Sequence, residues 1–332
     1  MMARIWPLDP ATYVRHPVHR GDRVWPESNC YVDLWIELLQ TMGVDPLAAL
    51  PFTFAVDVEG DQWTFFKFPL ADLHALYGVD IFELNVYRPL IAHVAEQLAL
   101  GRPSLVEVDA FHLPDTSGTA YHLDHVKTTI GIQALDAPGR RLGYFHNAGY
   151  FELGGADFAG LFRLEGHLTD PEYLPPYAEV VKPSTRPALA GRALVARSLE
   201  LLGTHLARRP CDNPFRRFAD RFPADLAGLG GGPIAQFYLY AFATFRQCGA
   251  AFELGGTYLR WLEGHGEPGL APLAAACDVI AETAKTIQFK TARFVNAHRP
   301  FDPAPLLDTM AGAWDQAIVG LTDRYGVLAH HR

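Results

Sequence analysis

Between residues 28 and 43 the apolar side chains Tyr31, Leu34, Trp35, Leu38, Leu39 and Met42 recur at helical spacing on one face. Ser28 is a plausible N-cap and Gly43 a stop, so the pattern predicts a helix with Cys30 in its first turn. A second helix is predicted from about Arg88 to Leu100, with Pro89 near its start and Gly101 at its end. The pattern then changes to strands. Leu105 to Phe111 reads as one, and from Val126 to Ala134 the residues Val126, Thr128, Ile130, Ile132 and Ala134 share a face. A turn through Asp136-Ala137-Pro138-Gly139 leads to a strand over Arg141 to Asn147. A hairpin of this kind is expected to hold His125 and Asn147 at one end of two paired strands. The aromatic, alternating run from Asp57 to Phe68 reads as a strand or hairpin wall.

Farther along, apolar residues keep helical spacing in about four long segments, roughly 188–208, 233–263, 270–297 and 303–326. The tract from Gly166 to Pro187 holds Pro171, Pro175, Pro176, Pro183 and Pro187 and little periodicity, which predicts a connector. The expected division is therefore an α+β domain over 1–165, a connector over 166–186 and an all-helical domain over 187–332. Gly228 to Pro233 lacks the Lys and Ser/Thr of a P-loop and reads as a loop before a helix.

Composition narrows the class. A chain of 332 residues with 49% hydrophobic and 20% charged residues can bury a sizeable core. The opening Met1-Met2-Ala3-Arg4-Ile5-Trp6-Pro7 has no apolar run of signal-peptide type and no stretch reaches membrane-span length, so a cytoplasmic location with no membrane partner is expected. Cys30, Cys211, Cys248 and Cys277 lie far apart, which suggests neither a disulfide framework nor a cysteine-built metal site. The net charge of -9 argues against nucleic acid. The acidity is uneven: residues 187–332 carry 15 Lys+Arg against 13 Asp+Glu, leaving 13 against 24 for the rest.

These patterns put one constellation forward. A helix N-terminus and a nearby imidazole both stabilise a thiolate, and Cys30 has the first from its own position. His125 is the candidate base. Asn147, with Asp136 as the other candidate, would hold the imidazole in the required tautomer. The structural reading of Cys30 is a core residue, since Cys30, Leu34 and Leu38 follow at i, i+4 spacing. A competing cluster of His112, His122, Asp124, His125 and His146 with Asp109 has metal-ligating residue types, but no H-E-x-x-H helix accompanies it, and no metal is expected.

Four stretches carry a resemblance: Trp25-Pro26-Glu27-Ser28-Asn29-Cys30-Tyr31-Val32-Asp33-Leu34-Trp35, Gly60 to Lys67, Val108 to Thr116, and His125 to Ile130. With Gly143 to Phe151 and Arg299-Pro300-Phe301-Asp302-Pro303, the chain resembles the domain-of-unknown-function 1839 family over nearly its whole length. More distantly, its Cys helix, Val-Asp-aromatic-x-Leu-Pro strand, His-led strand and helical second domain are similar to the butirosin biosynthesis protein H family. That likeness implies a papain-like cysteine protease fold, an N-terminal helix packed on an antiparallel sheet, followed by the all-helical domain.

It also implies acyl transfer from a carrier protein to an amine, with Cys30 as nucleophile, His125 as base and Asn147 where such proteins more often have Asp. Asn29, Glu27, Asp109 and His112 are the candidates for oxyanion or substrate binding. Members of the family are also similar to proteins encoded beside amino acid:carrier protein ligases, which implies an aminoacyl thioester donor. The expected partners are an acyl or aminoacyl carrier protein and a small-molecule amine. No cofactor is expected to be bound, the phosphopantetheine arm arriving with the donor. Because carrier proteins are usually acidic, Arg192, Arg197, Arg208, Arg209, Arg216 and Arg217 are candidates for docking, or else a solvated helix face. The rival functions are a thiol hydrolase on the same fold (thioesterase, amidase or peptidase) and a non-catalytic carrier-binding module.

Overall fold

The structure, a computed structural model, describes residues 2–164, 174–184 and 187–326. In chain order the strands are β1 (Ala3–Arg4), β2 (Val58–Glu59), β3 (Gln62–Trp63), β4 (Val79–Glu83), β5 (Ser104–Asp109), β6 (Lys127–Asp136), β7 (Arg141–His146), β8 (Gly149–Gly154) and β9 (Ala178–Pro183). The helices are α1 (Cys30–Thr41), α2 (Leu70–Tyr77), α3 (Leu90–Ala99), α4 (Gly155–Leu161), α5 (Gly191–Leu206), α6 (Pro214–Leu229), α7 (Ile234–Ala241), α8 (Gln247–Gly264), α9 (Ala271–Ala297) and α10 (Ala304–Tyr325). The fold is mixed α+β with an antiparallel sheet and a helical C-terminal region. Among the described residues no helix is long and apolar enough to cross a membrane.

Two compact units divide the chain, and they are not contiguous in sequence. The first takes residues 1–20, 29–45 and 73–188; the second takes 21–28, 46–72 and 189–332. The early segments 21–28 and 46–72 therefore belong with the helices, which the continuous division expected from composition did not foresee. The expected connector also holds a strand, since β9 lies inside it; the part from Gly166 to Tyr173, with Pro171, lies outside the described residues.

In the first unit the strand order is β4-β9-β5-β6-β7-β8, with β1 also paired to β6, and every pairing is antiparallel. Alternation along β5 and β6 divides the side chains between two faces. Val106, Val108, Ile130 and Ile132 pack with Leu90, Val94 and Leu98 of α3 and Phe158 of α4. The other face carries α1: Leu34 lies against Leu105 at the place where Gly131 leaves room, a Cβ there coming within 3.3 Å of Leu105 and 3.4 Å of Leu34. Glu107, Asp109, Lys127 and, two residues before Lys127, His125 follow the same alternation onto this α1 face.

The second unit buries its helices on one another and on an early 3-10 segment. Ser198 Oγ on α5 donates to Ala48 O at 2.7 Å, and Trp63 of the β2–β3 hairpin stacks obliquely on Phe215 of α6, ring centroids 4.6 Å apart. The alternating run from Asp57 to Phe68 is thus a short hairpin. The four predicted helical segments correspond to α5, α7 with α8, α9 and α10, and the amphipathic α6 is additional.

Candidate active site

Helix α1 begins at Cys30 because Asn29, not Ser28, caps it. Asn29 is extended (φ -147, ψ 160), and its side-chain oxygen accepts from Val32 N at 2.9 Å. Asp33 N donates to Asn29 O at 3.1 Å, and Asp33 places an acid in the first turn. The helix ends where Gly43 turns to φ +77, a value that favours glycine. Cys30 is half-buried, whereas burial pushes the thiols of Cys248 and Cys277 far above their usual range. Those two cysteines belong to the core; Cys30 does not.

His125 sits just before β6, where Ala110 N donates to Val126 O at 2.8 Å and extends the β5–β6 ladder. Its Nδ1 lies 2.6 Å from Asp109 Oδ2, and its ring stacks on Phe111 at 4.5 Å with 13° between planes. The other carboxylate oxygen of Asp109 accepts from Phe111 N at 3.0 Å. One aspartate thereby fixes the turn that carries the stacking ring and the tautomer of the imidazole, Nδ1 protonated and Nε2 outward. A cleft of ≈ 390 Å³ opens beside this pair, its wall including Glu107, Lys127, Arg163 and Tyr177. Glu107 and Lys127, on the adjacent strands β5 and β6, are ion-paired at 2.7 Å.

Asn147 is not the partner of His125. It is the first residue of the two-residue turn joining β7 to β8, with φ +44. Continued from Gly131↔Phe145, the register sets Asn147 opposite Thr129, four residues from His125 and roughly 13 Å along a strand. Strand β6 simply overhangs β7. Asp136, the other candidate, lies at the far end of β6. The orienting carboxylate comes from the opposite neighbour, β5.

The remaining candidates are placed as follows. His112 packs its ring on the backbone of Gly160, where no Cβ would fit, and burial lowers its pKa. Glu27, in the second unit, accepts from Arg246 Nη2 at 3.2 Å. His122 and His146 pair with Asp157 and Asp115, respectively, and among the described residues no group of three or more His, Cys, Asp or Glu could hold a metal ion. Of the arginines considered for docking, Arg197 pairs with Glu200, Arg216 with Asp315, and Arg217 with Asp57 and Asp212. Half of that surface is already neutralised within its own unit.

One arrangement had no counterpart in the sequence reading. His19 lies between two carboxylates of α1, Nδ1 2.5 Å from Glu37 and Nε2 3.2 Å from Asp33, all three side chains fully buried. Tyr13 OH donates to Glu37 at 2.6 Å and His16 N at 3.0 Å. Burial opposes the charge on His19, but the hydrogen bonds and charges of Asp33 and Glu37 prevail and raise its pKa. The signal was present in the sequence as two acids at i, i+4 on an otherwise apolar helix.

The sequence profile of the DUF1839 N-terminal domain matches residues 14–183, and that of the DUF1839 C-terminal domain matches residues 191–323. The chain belongs to the DUF1839 family. The boundary between the two DUF1839 domains falls at the end of β9, where the first structural unit also ends. No curated protein matches the chain.

Proposed function

We propose that this DUF1839 protein is a cysteine-dependent acyltransferase of papain-like plan, which moves an acyl or aminoacyl group from a carrier-protein thioester to an amine. The observation that carries the reading is the hydrogen bond from His125 to Asp109 at the exposed end of the β5–β6 pair, on the sheet face that also carries the Cys30 helix. An exposed pair of this kind adds little to stability, so its close geometry is better accounted for by chemistry. In support stand the helix-start position of the thiol, the antiparallel sheet with an imidazole at a strand start, and the sequence likeness to carrier-dependent acyltransferases.

The Cys30 thiolate, its proton passed to His125 Nε2, attacks the thioester carbonyl carbon. The tetrahedral intermediate collapses with release of the pantetheine thiolate, which takes the proton from His125. An amine then attacks the acyl-enzyme carbonyl and gives its proton to His125, and the Cys30 thiolate leaves. Asp109 orients the imidazole and stabilises its protonated form in both halves. Of the first-turn N–H groups, which have no intrahelical acceptor, that of Val32 is given to Asn29, and the backbone N–H of Cys30 serves as the oxyanion donor. Asn29 therefore contributes through the cap.

The open setting of His125 also suits water as acceptor, which would make the protein a thiol hydrolase. Incubation with a thioester-loaded carrier protein, followed by intact mass measurement, tests both. An acyl adduct on Cys30 that is absent from Cys30→Ala supports the common first step, and its discharge by added amines selects transfer over hydrolysis. Acyl transfer undiminished in Cys30→Ala or His125→Gln would refute the proposal.

A further inference from the structure

In the second unit a cleft of ≈ 270 Å³ is lined by Trp25, Pro26, Glu27, Arg246, Lys285 and Gln288. Its floor is rigid. Trp25 is buried, donates from Nε1 to Ala281 O at 3.1 Å, and lies against Gly249 of α8, where any larger residue would collide with the indole. Arg246 ends a π-helical segment, Phe242–Arg246, between α7 and α8. Such segments insert an extra residue and re-aim the side chains that follow, and they recur at functional sites. Here Arg246 is held by Nε donating to Ser28 O at 2.8 Å.

Charge around the cleft is unbalanced. Glu253 is used up by Arg23 Nη2, Val24 N and Trp25 N, at 2.9, 2.8 and 3.1 Å. Glu27 is engaged by Arg246. Lys285 is left with aromatic faces, its ammonium 4.1 Å from the centroid of Trp25 and 5.8 Å from that of Phe289. Arg23, Arg246 and Lys285 against Glu27 and Glu253 leave one positive charge over. Burial, and then the proximity of Arg246, lower the pKa of Lys285 against the opposing pull of Glu253.

We infer that this cleft is a binding site for a small oxyanion, the carboxylate or phosphate group of a ligand, received by Lys285 and Arg246 above the Trp25 ring. Both cations are donors without acceptor capacity, and the guanidinium can engage two oxygens at once. The inference does not depend on the acyl-transfer reading, since none of its residues belongs to the proposed triad.

The test labels the full-length protein at neutral pH with a limiting amount of an amine-reactive ester, which acylates only unprotonated amines. Labelling of Lys285 and of Lys290, on the same helix, is followed by peptide mass spectrometry. Inorganic phosphate, acetate and chloride are compared at equal ionic strength. Occupancy lowers Lys285 labelling saturably, by about tenfold at ten times Kd, and leaves Lys290 unchanged. Protection by phosphate alone assigns a phosphate ligand, protection by acetate alone a carboxylate, and protection by both assigns either group. Protection no greater than chloride gives, or equal on both lysines, overturns the site. In Arg246→Gln, checked for folding by circular dichroism, the protection of Lys285 weakens; unchanged protection there removes Arg246 from the site, while the wild-type comparison decides the proposal itself.

Discussion

Two of the His–Asp pairs of the first unit make the same contact in opposite settings. His125 Nδ1 meets Asp109 at 2.6 Å, and His146 Nδ1 meets Asp115 at 2.5 Å, but the side-chain exposures are 74% and 37% in the first pair and 2% and 5% in the second. Around His146 every polar atom is used: Asp115 also accepts from Tyr144 OH at 2.5 Å, and Thr128 Oγ lies 2.8 Å from Nε2. The buried pair thus has the connectivity of an Asp–His–hydroxyl triad, with its hydroxyl sealed in the core. Around His125 the outer nitrogen faces a cleft. Triad connectivity therefore does not identify a site; access does, and the exposed pair, which earns little stability, is the one available for proton transfer.

The sharpest test of this contrast is Asp115→Ala. It strands Tyr144 OH and His146 Nδ1 in a buried setting, and the expected loss is about 3–5 kcal/mol, read by urea unfolding. Asp109→Asn keeps the bond from Phe111 N and loses an exposed charge pair, so its expected cost is under about 1 kcal/mol. Equal losses in the two variants would erase the distinction between a structural and a functional pair.

Next in size is the effect on chemistry. Asn at 109 no longer holds the Nδ1–H tautomer of His125, so the rate of acyl-enzyme formation on Cys30 is expected to fall about a hundredfold or more, while thermal stability stays near wild type. Reaction of Cys30 with iodoacetamide should slow in the same variant. A rate within about twofold of wild type would mean that Asp109 orients nothing of consequence.

Much of the geometry around this candidate site was legible in the sequence, and the part that was not is instructive. The Cys30 helix and the β6–β7 hairpin follow from local periodicity, which needs only residues a few positions apart. The partner of His125 does not. Asp109 reaches it across the β5–β6 ladder, over an intervening loop from Ala110 to Val126, and no local pattern records which neighbouring strand supplies the carboxylate. Asn147 was misplaced because matching the ends of two strands ignores their lengths: β6 runs for 10 residues and β7 for 6. β9 was hidden because Ala178–Pro183 is short and set among prolines, and its pairing with β4 and β5 is wholly non-local. For the same reason the assignment of residues 46–72 to the helical unit depends on packing of Trp63, Phe54 and Ser198 partners that no window of sequence contains.

A smaller effect should separate the buried imidazole of His19 from both pairs. His19, with a carboxylate at each ring nitrogen, has its pKa raised above the ordinary 6.5. Its contribution to stability is complete below that value and is lost as pH rises through the raised folded value. His16 nearby is lowered, by burial first, and acts in the opposite sense, so the contribution of His19 must be isolated by difference. Unfolding free energies of the wild type and of His19→Gln, measured between pH 6 and pH 9 as an approximate window, should converge as pH increases. A gap that widens instead would show that His19 is held neutral.

The smallest expected effect concerns Asn147. With φ +44 in a two-residue turn, the residue occupies backbone space that Asn and Gly tolerate and most others do not. Asn147→Gly should change stability by no more than about 0.5 kcal/mol, Asn147→Val should cost more because a β-branched residue is strained at positive φ, and neither should alter acylation of Cys30. The pair of variants thus separates turn geometry from side-chain chemistry. A fall in acylation rate in Asn147→Gly with unfolding unchanged would return the amide to the site, and Asp109 would then have to share the orientation of His125 with a residue on the far side of β6.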